Sequence, residues 1–88
     1  MAEPSMEAIG HVNGFFAHPS VAIVILTAPL NVGDVVYVKG QTTDFQQRVE
    51  SMQLERQPIQ QAQTGQSIGL QVSQRCRKHD VIYKLVAS

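Results

Sequence analysis

Apolar and polar positions alternate along most of the chain with a period of two, and no stretch shows the 3.6-residue period of a helix. The most apolar run is Val21 to Leu26, where Val21, Ile23 and Ile25 share one face and Ala22, Val24 and Leu26 the other. These β-branched types pack well on a pleated surface, and a strand apolar on both faces is central in its sheet or covered from outside. Ala28-Pro29 ends this strand, because proline has no N–H to give to a ladder. Asn31 to Asp34 turns the chain, and Val35 to Lys39 begins another strand. Upstream, Glu7 to Phe16 alternates imperfectly around Ile9 and Val12, with Gly10 and Gly14 interrupting. Glycines inside a strand pattern predict a bulge or a sharp bend. The turn Ala17-His18-Pro19-Ser20 would pair this strand antiparallel with Val21–Leu26.

After a polar loop from Gly40 to Asp44, Phe45 to Leu54 reads as a fourth strand whose phase slips. Phe45, Gln47 and Val49 share one face, and Met52 and Leu54 fall on the other, which predicts a β-bulge at Glu50-Ser51. Arg56 to Gln66 reads as a loop, with five glutamines in eleven residues and breaks at Pro58 and Gly65. Ser67 to Ser73 alternates cleanly, Ile68, Leu70 and Val72 inward. Gln74 to Asp80 is a polar, basic connection, and Val81 to Val86 closes the pattern. Short strands with turn signals every eight to twelve residues specify an all-β fold, read as a six-stranded antiparallel closed β-barrel. Val24, Leu26, Val36, Val38, Ile68, Leu70 and Val72 are the expected core. Residues 1–6 read as a flexible N-terminal tail, and residues 7–88 as a single domain.

Composition changes this picture little: 88 residues, 43% hydrophobic and 16% charged, suit one globular domain. The lone Cys76 excludes an intrachain disulfide framework and fits a reducing compartment. No basic segment followed by an apolar stretch opens the chain, and the longest apolar run is too short to cross a bilayer. A cytoplasmic protein without a membrane partner is the expectation. Charge is more informative. Residues 1–44 set Lys39 against Glu3, Glu7, Asp34 and Asp44, net −3, whereas residues 45–88 carry net +3. Such a basic half permits a phosphate-facing patch, and equally a set of solvated charges.

Candidate chemistry is sparse. Cys76 and His79 lie three residues apart, half of a metal site at best, and His11 and His18 are distant in sequence. The same pair lacks a third group to orient a base, since Asp80 directly follows His79. Arg75 and Arg77 beside Cys76 would lower its pKa. No GxxxxGK[ST] loop is present, so nucleotide triphosphate hydrolysis by that route is excluded. No metal, cofactor or catalytic set is expected. Tyr83, next to Lys84, is the candidate for stacking on a base.

The segments IGHV, VGDVVYVKG, VESMQLER and TGQSIGLQV, in that order, resemble the β-barrel second domain of translational GTPases of the elongation factor Tu type. The resemblance runs from Ile9 to Leu85, and it implies a closed barrel of the translation-factor second-domain type. In that family the domain helps hold the aminoacylated end of transfer RNA, through an arginine and nearby acidic residues. Arg56 stands at the arginine position, and Gln53 and Gln61 stand where the acids would be. An amide both donates and accepts hydrogen bonds where a carboxylate only accepts, so the contact is altered. TTDFQQRVESMQ also looks like barrels appended to collagenase-like peptidases.

These readings converge on a non-catalytic binding module. Its expected partner is RNA or a translation-linked ribonucleoprotein, held by Arg56, Arg75, Arg77 and Lys78, with Gln53 and Gln61 beside them. The alternative is a protein–protein adaptor that docks onto a separate enzyme such as a collagenase-like peptidase.

Overall fold

The structure is a computed structural model that describes residues 5–17 and 20–86. Its strands are β1 (Ser5–Ala17), β2 (Ser20–Leu26), β3 (Leu30–Asn31), β4 (Val35–Lys39), β5 (Asp44–Arg48), β6 (Met52–Leu54), β7 (Gln57–Ile59), β8 (Gln61–Ala62), β9 (Ser67–Gln71) and β10 (Val81–Val86). Eight form one antiparallel sheet in the order β5-β4-β10-β1-β2-β9-β6-β7, and β3 pairs with β8 in a small second sheet. The all-β, antiparallel expectation holds. Among the described residues there is no helix long and apolar enough to cross a membrane.

β1 and β2 form the long hairpin at the centre, with β10 on one side and β9 on the other. The residues His18 and Pro19 of its expected turn lie outside the described residues. Register slips between Ala8 and Gly10 against β10, and between Val12 and Gly14 against β2. Both slips fall beside the two interrupting glycines, and the first, with Ile9 as its extra residue, lets Ile9 and Val12 enter the same core. Gly10 is also a point of close approach: a Cβ there would lie 2.6 Å from the Ile25 carbonyl oxygen.

The core collects the inward residues of the curled sheet, including Ile9, Val12, Val24, Leu26, Val36, Val38, Ile68, Leu70 and Ile82. All seven expected core positions are buried. Leu30 and Ala62, opposite each other in the small sheet, are also fully enclosed.

Three expectations are corrected. The closed six-stranded barrel is an open, curled sheet: no ladder joins the outer strands β5 and β7. A side chain spans the gap near β5 instead. The Gln47 amide donates to the Gln71 carbonyl (2.8 Å) and accepts from the Ser73 N–H (2.8 Å), occupying groups that another strand would otherwise take. The Phe45–Leu54 strand with a bulge at Glu50-Ser51 is two strands on different flanks of the sheet. β5 pairs with β4, the chain crosses at residues 49–51, and β6 joins β9. Val49 and Met52 are both buried through this break rather than through a bulge. The glutamine-rich loop contains β7 and β8, and Pro58 is accommodated because β7 is an outer strand.

Candidate functional site

The outward row of β2 is apolar and incompletely covered. Val21, Ile23 and Ile25 are half-buried, while their alternates Ala22, Val24 and Leu26 fill the core. The reason lies in the neighbours: Ile23 is opposite Gly14 on β1 and Gly69 on β9, so neither flanking strand supplies a side chain to shield it. Val21 is opposite Phe16, which is 62% exposed. The result is an open groove of about 400 Å³ with Phe16, Val21, Ile23 and Gly69 among its walls. Gln53, Glu55 and Arg56 form a polar edge.

A tight turn presents that edge. Leu54 pairs with Gln57, and the two residues between them, Glu55 and Arg56, have φ of 52° and 66°. Positive φ at both central residues is the type I′ geometry that matches strand twist, usually carried by Asn-Gly. Here two charged side chains adopt it, and Arg56 reaches the apolar groove. Gln53, opposite Gly69, lies at the same groove.

The other expected site residues are elsewhere. Gln61 lies on β8 opposite Asn31. Arg75 is exposed on the β9–β10 connection. Arg77 and Lys78 line a different groove of about 490 Å³, against the turn that follows β4, and it shares no lining residue with the groove holding Arg56. The four cations therefore do not converge, and Tyr83 lines neither groove. Sequence reasoning placed Phe16 at the end of the first strand and gave it no site role. The signal that could have located the groove was the two-faced apolar strand flanked by Gly14 and Gly69.

Cys76 and His79 do not act together. The thiol is 1% exposed, and its polar contact is the Gln74 carbonyl, at 3.8 Å. Burial, reinforced by the Asp80 carboxylate, pushes its pKa up to about 12, opposite to the expected effect of the adjacent arginines. His79 is exposed, with φ of 80°. Among the described residues no three His, Cys, Asp or Glu side chains are grouped to hold a metal; His18 lies outside them.

No protein-family model matches the chain. Its architecture does have solved counterparts. The C-terminal domain of a Geobacillus thermoleovorans putative U32 peptidase superimposes with a TM-score of 0.82 at 22% identity, over 86% of this chain and 96% of that one. A second structure of that domain gives 0.82 over 89% and 91%. The fold is that of a U32 peptidase C-terminal domain. In sequence, the chain is 32% identical over 78 residues to an uncharacterized protease of Methanocaldococcus jannaschii. That match takes in 88% of this chain and 19% of the protease, so the chain spans about a fifth of the relative's length.

These likenesses overturn the translation-factor assignment, and with it the RNA-contact reading that rested on it. The motifs behind that assignment are a Gly-Asp turn and a phase-slipped strand. Any small curled antiparallel sheet can need a Gly-containing turn and a strand break, so their order did not identify the family.

Proposed function

We propose that the chain is a non-catalytic accessory domain that docks onto the catalytic body of a U32-type peptidase through the outer face of β2. The observation that carries this reading is the uncovered apolar row itself. Ile23 lies between two glycines, Phe16 stands 62% exposed beside it, and Gln53 and Arg56 form a polar edge. An apolar centre with an aromatic anchor and a polar rim is the anatomy of a protein–protein contact. The likeness to a peptidase C-terminal domain supplies the class of partner. The M. jannaschii relative supports the same association, since its matched segment is part of a much longer protease.

Isothermal titration calorimetry tests it, using this domain and a U32-type peptidase body from the same organism, produced without its own C-terminal domain. Saturable binding is expected, weakened at least about tenfold by Phe16→Ser, as for a central aromatic anchor. Because Phe16 is mostly exposed, this substitution should spare the fold. No binding, or binding indifferent to Phe16→Ser, would contradict the assignment. Binding of peptidase substrates in place of the body would make the groove a substrate-recruiting surface instead.

A further inference from the structure

The second groove carries a function of its own. We propose that it recognises an acidic, extended segment of a polypeptide. Lys39 at the end of β4, and Arg77, Lys78 and His79 on the β9–β10 connection, line it together with Gln41 and Thr42. The exposed Lys39, Arg77 and Lys78 side chains bring three positive charges to one concave surface. Asp80 is the carboxylate in the lining, but it is 4% exposed and turned inward, where its Oδ2 accepts the Arg77 backbone N–H at 2.8 Å. Asp44, opposite Lys39 in the ladder, accepts the Tyr37 hydroxyl. Among the described residues no carboxylate lies within 4.0 Å of Lys39, Arg77 or Lys78 in an ion pair.

The frame holding these cations is fixed. His79 donates its N–H to the Val12 carbonyl at 2.8 Å, and Val12 donates to the Asp80 carbonyl at 2.8 Å, tying the connection to β1. On the other wall, Gly40 packs directly against the Asp80 carboxylate. A groove held in this way loses little freedom on binding, so most of the ordering cost falls on the ligand. The Arg77 guanidinium can grip a carboxylate with two parallel hydrogen bonds, while Lys39 and Lys78 act as point charges. A polypeptide fits better than a nucleic acid. No Phe, Tyr or Trp side chain lines the groove to stack bases, and the chain as a whole is neutral, with a pI near 6.8, so it lacks the broad basic field that gathers polyphosphates. The site shares no residue with the β2 groove, so it does not depend on the docking proposed above.

Fluorescence anisotropy of the full chain tests the proposal with three labelled probes. These are a Glu/Asp-rich dodecapeptide, its Gln/Asn counterpart, and a single-stranded RNA of equal charge. The acidic peptide should bind saturably at low salt and the neutral one should not. Arg77→Ala with Lys78→Ala should weaken binding about tenfold, in keeping with exposed ion pairs. Arg48→Gln, which removes an exposed cation outside both described grooves, should change it less than about twofold. Arg77→Ala keeps the backbone N–H that Asp80 accepts. If the double variant nevertheless fails to melt cooperatively, Lys39→Gln on the opposite wall provides the same reading. Absence of saturable binding, or equal loss with Arg48→Gln, would overturn the site. Tighter, Arg77-dependent binding of the RNA would overturn its assignment to polypeptide.

Discussion

Gly40→Ala should be among the most damaging conservative substitutions in the chain, although Gly40 is only half-buried and its φ needs no glycine. A Cβ there would collide with an Asp80 carboxylate oxygen and lie 2.7 Å from its Cγ. The Asp80 side chain is short, 4% exposed and held by the Arg77 N–H at 2.8 Å, so it has nowhere cheap to go. Either the carboxylate moves and forfeits a hydrogen bond to a charged acceptor, worth about 1.5–3 kcal/mol. Or the β4–β5 turn shifts outward, at an overpacking cost of roughly 1–3 kcal/mol. The cheaper of these alternatives sets the cost, which gives a loss of about 1–3 kcal/mol. A domain of this length has roughly 4–10 kcal/mol to lose, so the effect is large. Urea denaturation should show a lower midpoint at unchanged slope. On an Asp80→Ala background the same substitution should cost under about 0.5 kcal/mol, because the obstructing atoms are gone. A single-variant loss below about 0.5 kcal/mol, or additivity of the two changes, would refute the reasoning.

Leu70 is fully buried between β2 and β6, so Leu70→Ala should cost about 2–5 kcal/mol in the same assay. Cys76 should react slowly with iodoacetamide at neutral pH in the folded protein and quickly once unfolded, as mass spectrometry would record. The raised thiol pKa also sets a pH dependence. The folded chain keeps a proton that the unfolded chain releases, so this contribution is complete below the ordinary thiol value of 9.0 and is lost as pH rises towards about 12. Denaturation midpoints measured across that window should therefore fall more steeply for the native chain than for Cys76→Ala.

Much of this architecture was legible because its strands obey one rule. Where one face is buried, alternation fixes the inward residues, and Ile68, Leu70 and Val72 are inward as expected. Gly10 and Gly14 announced the irregularities of β1 for the same reason. The failure at residues 49–51 is equally physical. A bulge and a crossing to another flank both bring Val49 and Met52 into one core, so the phase slip cannot distinguish them. Barrel closure was beyond the pattern too, since it depends on whether β5 finds a strand or, as here, the Gln47 amide bridges to residues 71 and 73. β7 was hidden by its composition, because its hairpin turn is Glu55-Arg56 rather than Asn-Gly. At the site, Arg56 and Gln53 were named through a family likeness that the solved structures overturn, yet they do lie together at a groove. Its apolar floor was visible in the sequence as the second face of Val21–Ile25, and what remained hidden was that nothing among the described residues covers it.

The most direct test of the docking claim is a chemical-shift map of the ¹⁵N-labelled domain titrated with the peptidase body. Perturbation and line broadening should centre on Gly14, Phe16, Val21, Ile23, Gln53, Arg56 and Gly69, the residues around the open face of β2. Gly14→Val should abolish the effect while leaving the fold intact, because a Cβ there meets Ile23 at 3.8 Å, an ordinary contact, and the added side chain would cover the groove. A map centred on another face, or unchanged by Gly14→Val in a folded domain, would contradict the claim.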